Sequence, residues 1–337
     1  MKAVDVSFAL RVSVMLLWLV GCVADASDPL DDALESETEQ AVSSTTTIET
    51  RLAGTGEWHT IVRLPPITLA KGQQQYLMGG WRPRSNTEAK ILQGVTIMCS
   101  VNGEVIDRST SSNINHHGTT GPLNSATRWL FKAPRAGSYT CELKGRACSI
   151  PSCEAGTREL LVANTEVHSI SATPADPGDV AWGADESDRR SDMCVAPGTT
   201  EKVMARKWYA SSSARTVDVD LALEVTTALD APNWLDKFCD GFYKDASGTT
   251  ISDRLVVVQL DAGGQPCAPQ VQTDIKKMFV SAATHHDKMH LTLRDVPVST
   301  ASSCTRKFSI YGVVSASGST LYLQLHEFST GIARSRE

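Results

Sequence analysis

The sequence predicts an all-β protein: two disulfide-bonded antiparallel β-sandwich domains that follow an export signal and a disordered tether. Three observations predict it. Apolar residues recur at every second position, most cleanly where Val217, Val219, Leu221, Leu223 and Val225 alternate with Asp218, Asp220, Ala222 and Glu224, which is the period of a half-buried strand. Helical periodicity is scarce. Beyond Cys22, eight cysteines divide evenly between the halves, as Cys99, Cys141, Cys148 and Cys153, then Cys194, Cys239, Cys267 and Cys304. In an exported chain an even number argues for disulfides within each half, and the C-x2-C pairs that suit a zinc site do not occur. At 337 residues the chain exceeds one typical domain of about 100 to 200 residues.

Residues 1–22 hold a weakly positive start (Lys2, Arg11) and an apolar run from Val12 to Val20 broken by Ser13. The run is too short to span a bilayer and reads as a signal peptide. Two cleavage signals overlap behind it. Leu19-Val20-Gly21-Cys22 resembles the lipobox of bacterial lipoproteins, a resemblance that implies lipid modification at Cys22 and covers these 22 residues only. Ala24-Asp25-Ala26 fits ordinary signal peptidase, which would cut after residue 26 and release a soluble form. Residues 23–53 are acidic and then rich in Ser and Thr, the composition of a disordered tether. A tether is useful when its end is anchored, which favours the lipobox.

The formal charge of −6 lies wholly in the first 52 residues, so the remainder is neutral. A neutral body without a basic run does not suit nucleic-acid binding.

Residues 54–165 form the first expected sandwich. Val95, Ile97, Cys99 and Val101 share one strand face, and Tyr139, Cys141 and Leu143 share another. Both cysteines therefore point into the core, with the parity of a bond between two packed sheets, so Cys99 is expected to pair with Cys141. Asn102-Gly103 is a two-residue hairpin signal. Ala136 to Cys141 resembles the immunoglobulin-type corner, which sets a Tyr two residues before the second core Cys. That fold also carries a Trp about a dozen residues after the first Cys, and Asp107 to Asn113 holds none.

The second sandwich is expected over 166–337, with a linker or long loop at 172–190. Its strands are 217–225, 255–260, 290–294, 307–314 and 321–325. The halves also share an order of features: a Val-rich strand, a Gly turn, a His pair, a strand ending near a Pro, and a Cys. They are 95–101, Gly103, His116-His117, Pro134 and Cys141, then 255–260, Gly263-Gly264, His285-His286, Pro297 and Cys304. This order suggests a duplicated β-module.

No nucleophile elbow, P-loop or dinucleotide glycine signature is present, and no catalytic residue or cofactor is assigned. The sharpest metal candidates are His285, His286 and His290. On a helix His286 and His290 would share one face with Asp287 in the place of a zinc protease Glu, but His290-Leu291-Thr292-Leu293-Arg294 alternates as a strand. There the two histidines stand about 13 Å apart, and exposed turn histidines are the expectation. Asp218, Asp220 and Glu224 are expected on a solvated face, being about 7 Å apart along a strand where calcium wants a tight loop. Trp182, read as exposed in a Gly-rich linker, and Trp234, after Pro232, are the ligand-binding candidates. The reading is an exported, lipid-anchored surface or periplasmic protein that binds a protein or a glycan and meets the membrane through its anchor only. The alternatives are a secreted glycan or peptide hydrolase and a structural envelope protein.

Overall fold

Runs of β-branched and aromatic residues at alternate positions, punctuated by Pro, Gly, Asn and Asp, set the strands of this chain. The computed structural model describes residues 42–45, 50–53, 56–85, 91–109, 112–116, 125–149, 159–162, 167–183, 193–226, 248–281, 287–318, 323–325 and 328–337. Cys22, His117, Cys153, Trp234, Cys239, His285 and His286 lie outside the described residues. The described elements are all strands, and no helix among the described residues is long and apolar enough to cross a membrane.

The first half runs β1 (Val42–Thr45), β2 (Thr50–Ala53), β3 (His59–Arg63), β4 (Ile67–Leu69), β5 (Gln74–Trp81), β6 (Arg84–Ser85), β7 (Ile91–Val101), β8 (Glu104–Arg108), β9 (Ser112–His116), β10 (Ser125–Lys132), β11 (Gly137–Ser149), β12 (Glu159–Val162) and β13 (Val167–Ala175). Sheet β1-β13-β5-β10 packs on sheet β3-β11-β7-β8, where β4 joins β11 and β9 joins β7, and β2-β12-β6 forms a smaller sheet. Leu77, Trp81, Val95, Ile97, Phe131, Tyr139, Leu143 and Ile170 fill the core.

The second half runs β14 (Val180–Gly183), β15 (Met193–Val195), β16 (Thr200–Tyr209), β17 (Thr216–Thr226), β18 (Gly248–Leu260), β19 (Val271–Gln272), β20 (Lys276–Ser281), β21 (Asp287–Pro297), β22 (Lys307–Gly318), β23 (Leu323–Leu325) and β24 (Thr330–Arg336). Sheet β14-β24-β17-β23-β15, with β21 on β17, packs on sheet β16-β22-β18-β19, with β20 on β18. Val219, Leu221, Leu223, Leu255, Val257, Leu291, Phe308 and Ile310 fill this core.

The two halves repeat one set of pairings. β1-β13, β2-β12, β13-β5-β10 and β3-β11-β7 in the first recur as β14-β24, β15-β23, β24-β17-β21 and β16-β22-β18 in the second, and the short strands on β7 match those on β18. The shared order of sequence features follows this shared topology: the Val-rich stretches 95–101 and 255–260 lie on the corresponding strands β7 and β18. Two of the disulfides link corresponding places. Cys99 of β7 bonds Cys141 of β11, and Cys267, after β18, bonds Cys304, before β22.

Four expectations need correction. Cys99 and Cys141 pair as expected but face each other across neighbouring strands of one sheet, 4.1 Å apart at Cα, so the bond does not join two sheets. The corner Tyr139 does donate its hydroxyl to the Arg135 carbonyl at 2.5 Å. Residues 172–190 are not one linker: β13 runs to Ala175 inside the first sheet, paired with β5 along Ser169–Ala175, and β14 already belongs to the second sandwich. The change of sandwich thus falls in residues 176–179, not at 166. Residues 42–45 and 50–53, expected in the tether, are strands paired with β13 and β12. The Asn102-Gly103 turn is as expected, with φ of 53° and 80° at its centre, the left-handed pair that a two-residue hairpin requires.

Candidate functional site

β17 has two unlike faces, and both are buried. Val217, Val219, Leu221, Leu223 and Val225 enter the second core, whereas Asp218, Asp220 and Glu224 face the first half and are at most 3% exposed. This corrects the solvated face expected for the three carboxylates. The equivalent sheets of the two sandwiches lie against each other, so β5 is buried along its whole length, and Tyr76, Met78 and Leu130 of the first half pack with Ile332 of the second.

Asp220 is the centre of the contact. Arg294 on β21 donates to both its oxygens, at 3.1 and 2.9 Å. Tyr76 on β5 donates its hydroxyl at 2.9 Å, Thr292 donates at 3.0 Å, and the Arg128 Nε of β10 stands at 3.2 Å. Arg128 also meets Nδ1 of His290 at 2.8 Å. One residue pair along, Asp218 is held by Arg336 at 2.7 Å, by Arg334 at 3.2 Å and by the Asp295 amide at 3.0 Å. Arg334 reaches back to Thr173 of β13 at 3.3 Å and lies over the Tyr76 ring, 3.5 Å from its centroid. Lys288 faces Glu224 at 3.7 Å.

Charges balance by depth. Arg128 and Arg334 are sealed with the two aspartates, while Arg294 and Arg336 keep an edge in solvent, as charged groups taken from water require partners. Burial alone would raise the Asp220 carboxyl, but Arg294, Arg128 and Arg334 overcome it and hold the group well below the ordinary carboxylate range. Burial, with Asp220 beside it, pushes Tyr76 up to about 12. Burial and then Arg128 push His290 well below its ordinary value, so it is neutral. The cluster is committed to joining the sandwiches, its aspartates and arginines already paired with one another.

The sequence candidates fall differently. His290 is not an exposed turn residue but lies buried on β21 between Arg128 and the sheet, a cationic setting unsuited to a metal ion, and no group of three His, Cys, Asp or Glu that could hold a metal occurs among the described residues. His116 ends β9. Trp182, read as exposed, is 2% exposed: its ring lies flat on Gly331 of the neighbouring strand, where a Cβ would stand 2.2 Å from it, and its indole donates to the Met204 carbonyl at 3.1 Å. Glycine there makes room for a ring that its chain neighbours alone do not reveal. Cys148 is disulfide-bonded, and Cys194 stands on β15.

Sequence reasoning missed a second surface. The outer face of the β16-β22-β18-β20 sheet presents Tyr209, 61% exposed, and Phe279, 58% exposed. Lys307 stands 5.6 Å from the Tyr209 ring centroid and Lys202 stands 4.3 Å from that of Tyr311. The run Lys207-Trp208-Tyr209 carried a signal: Trp208 turns inward, so the alternation sends Lys207 and Tyr209 outward.

No family model matches the sequence, and the search of curated proteins found no match. Among solved structures the chain is similar to the tandem CBM22 domains of Xyn10C from Paenibacillus barcinonensis, with 8% identity, a TM-score of 0.25 and coverage of 90% of this chain and 95% of that one. It is also similar to a chain of the Gx strain of infectious bursal disease virus, with 10% identity, a TM-score of 0.30 and coverage of 87% and 69%. The PBSX exported protein XepA gives 9% identity, a TM-score of 0.21 and coverage of 87% and 86%. Scores this low leave the architecture to be read from the strand pairing itself: two disulfide-bonded β-sandwiches built on one topology.

Proposed function

We propose that the protein is an exported recognition module that binds a glycan across the outer face of the β16-β22-β18-β20 sheet. The observation that supports this is the set of aromatic side chains on that face, with Tyr209 and Phe279 largely in solvent and Tyr209 and Tyr311 each beside an ammonium group. An exposed ring offers a flat apolar surface with a polar tip. Regular strands hold such rings at fixed spacing, so little order is lost on binding. Structural disulfides persist in oxidising compartments, in keeping with a site of action outside the cytoplasm. Retention of the full chain on a panel of immobilised glycans tests the reading: at least one glycan is retained, and Tyr209→Ala with Tyr311→Ala weakens it about tenfold or more. A panel that retains nothing overturns it.

Cys22 is proposed as the lipid anchor. Labelled fatty acid is expected in the wild type and absent from Cys22→Ser; an unlabelled wild type leaves the soluble form cut after residue 26.

A further inference from the structure

The two sandwiches repeat one topology, so their outermost sheets can be compared strand for strand. On the outer sheet of the first, one carboxylate answers two of the cations: Glu142 pairs both Arg63 and Lys144. The outer sheet of the second is different. The registers Lys202↔Val313, Arg254↔Val313, Lys207↔Ser309, Tyr209↔Lys307 and Ser252↔Lys277 set Lys202, Arg254, Lys207, Lys307 and Lys277 on the face that carries Tyr209, Tyr311 and Phe279. No strand position of that face holds a carboxylate: Asp253 and Glu201 belong to the opposite parity. None of the five cations meets a carboxylate among the described residues.

From strand spacing and rise, neighbouring cations on this sheet stand roughly 8–13 Å apart. That is a ladder, not a point. A single small anion would meet one or two of them, whereas a linear chain bearing an acidic group on every residue or two meets all five, with its ring faces over the tyrosines.

Building on the glycan reading above, we infer that the ligand is a polyanionic polysaccharide. Its carboxylate or sulfate groups pair with Lys202, Arg254, Lys207, Lys307 and Lys277, and its sugar rings rest on Tyr209 and Tyr311. Among the described residues the five cations meet no carboxylate on their own face, and the exchange releases counterions from the polymer, so binding weakens as salt rises.

The test measures retention of the full chain on polygalacturonate, dextran sulfate and neutral dextran at two salt concentrations, alongside the glycan panel. A single-stranded oligonucleotide serves as a polyanion whose charge lies on phosphodiester bridges and not on pyranose rings. The expected result is retention on polygalacturonate, on dextran sulfate or on both, at least tenfold above neutral dextran and the oligonucleotide and lost at high salt. Which of the two is retained separates carboxylate from sulfate. In Lys202→Gln/Arg254→Gln/Lys277→Gln, substituted at surface positions, retention falls at least tenfold. The salt dependence of the wild type tests the same charge pairing without a variant. Binding to a neutral glycan but to neither acidic polymer overturns the polyanion inference and leaves the glycan reading standing; binding to nothing overturns both. Preference for the oligonucleotide, or salt-independent retention, also overturns the inference.

Discussion

Asp253 sits on β18 at the parity of Ile251, Leu255 and Val257, which line the second core. It is buried, and neither of its oxygens has a hydrogen-bond partner among the described residues. Burial pushes its carboxyl up to about 7 from an ordinary 3.8. A carboxyl raised on folding binds its proton more tightly in the native state, so this group lowers stability as pH rises from about 4 to about 7 and costs its full amount above. Replacing it with Asn is expected to raise the denaturation midpoint at pH 8 by the equivalent of a few kcal/mol, and to change it little at pH 4. Equal midpoints at pH 8 would show the carboxyl to be solvated. The residue's neighbours in sequence, Ser252 and Arg254, gave no sign of this; only the covering sheet makes the site dry. The same gap explains Asp218, Asp220 and Glu224. An alternating strand says that its faces differ, not that the second one meets solvent. A further signal was present in the chain, since Lys288 and Arg294 on β21, with Arg334 and Arg336 on β24, stand at alternate positions with opposite charge.

Strands were the most legible level. The alternations at 95–101, 138–143 and 217–225 fall on β7, β11 and β17, and the apolar run 255–260 falls on β18, since one apolar face or a short run of β-branched residues is enough to mark a strand. β5 was not legible: buried on both faces, with Gln74, Gln75, Gly79 and Gly80 among its residues, it lacks alternation. Partners distant in sequence were equally hidden, and β24 on β14 is the sharpest instance. Gly331→Ala places a methyl where the Trp182 ring lies, and displacement of that ring is expected to lower stability by about 1–3 kcal/mol. Tryptophan fluorescence should shift to the red, as Trp182 moves toward water; an unchanged spectrum and midpoint would mean the ring has another resting place.

Across the whole molecule the equivalent sheets of two like sandwiches meet through charge. Tyr76, Arg128 and Thr173 come from one half, Asp218, Asp220, Arg294 and Arg334 from the other. A buried ion network of this kind is not in itself a source of great stability, but the loss of one partner strands the others without water. The joined sandwiches are therefore expected to unfold together, with the outer sheet and its tyrosines and lysines carried on the same unit. Asp220 also sets the acid limit: its carboxyl lies below the ordinary range, so its contribution is present above about pH 4 and fades as pH falls further. The decisive measurement is equilibrium unfolding of the wild type and Asp220→Ala at pH 7, followed by fluorescence and circular dichroism. A single wild-type transition, with the variant either losing about 3–5 kcal/mol or separating into two transitions, is the result expected. An unchanged single transition in the variant would contradict the account, for Asp220 would then not be what holds the halves together.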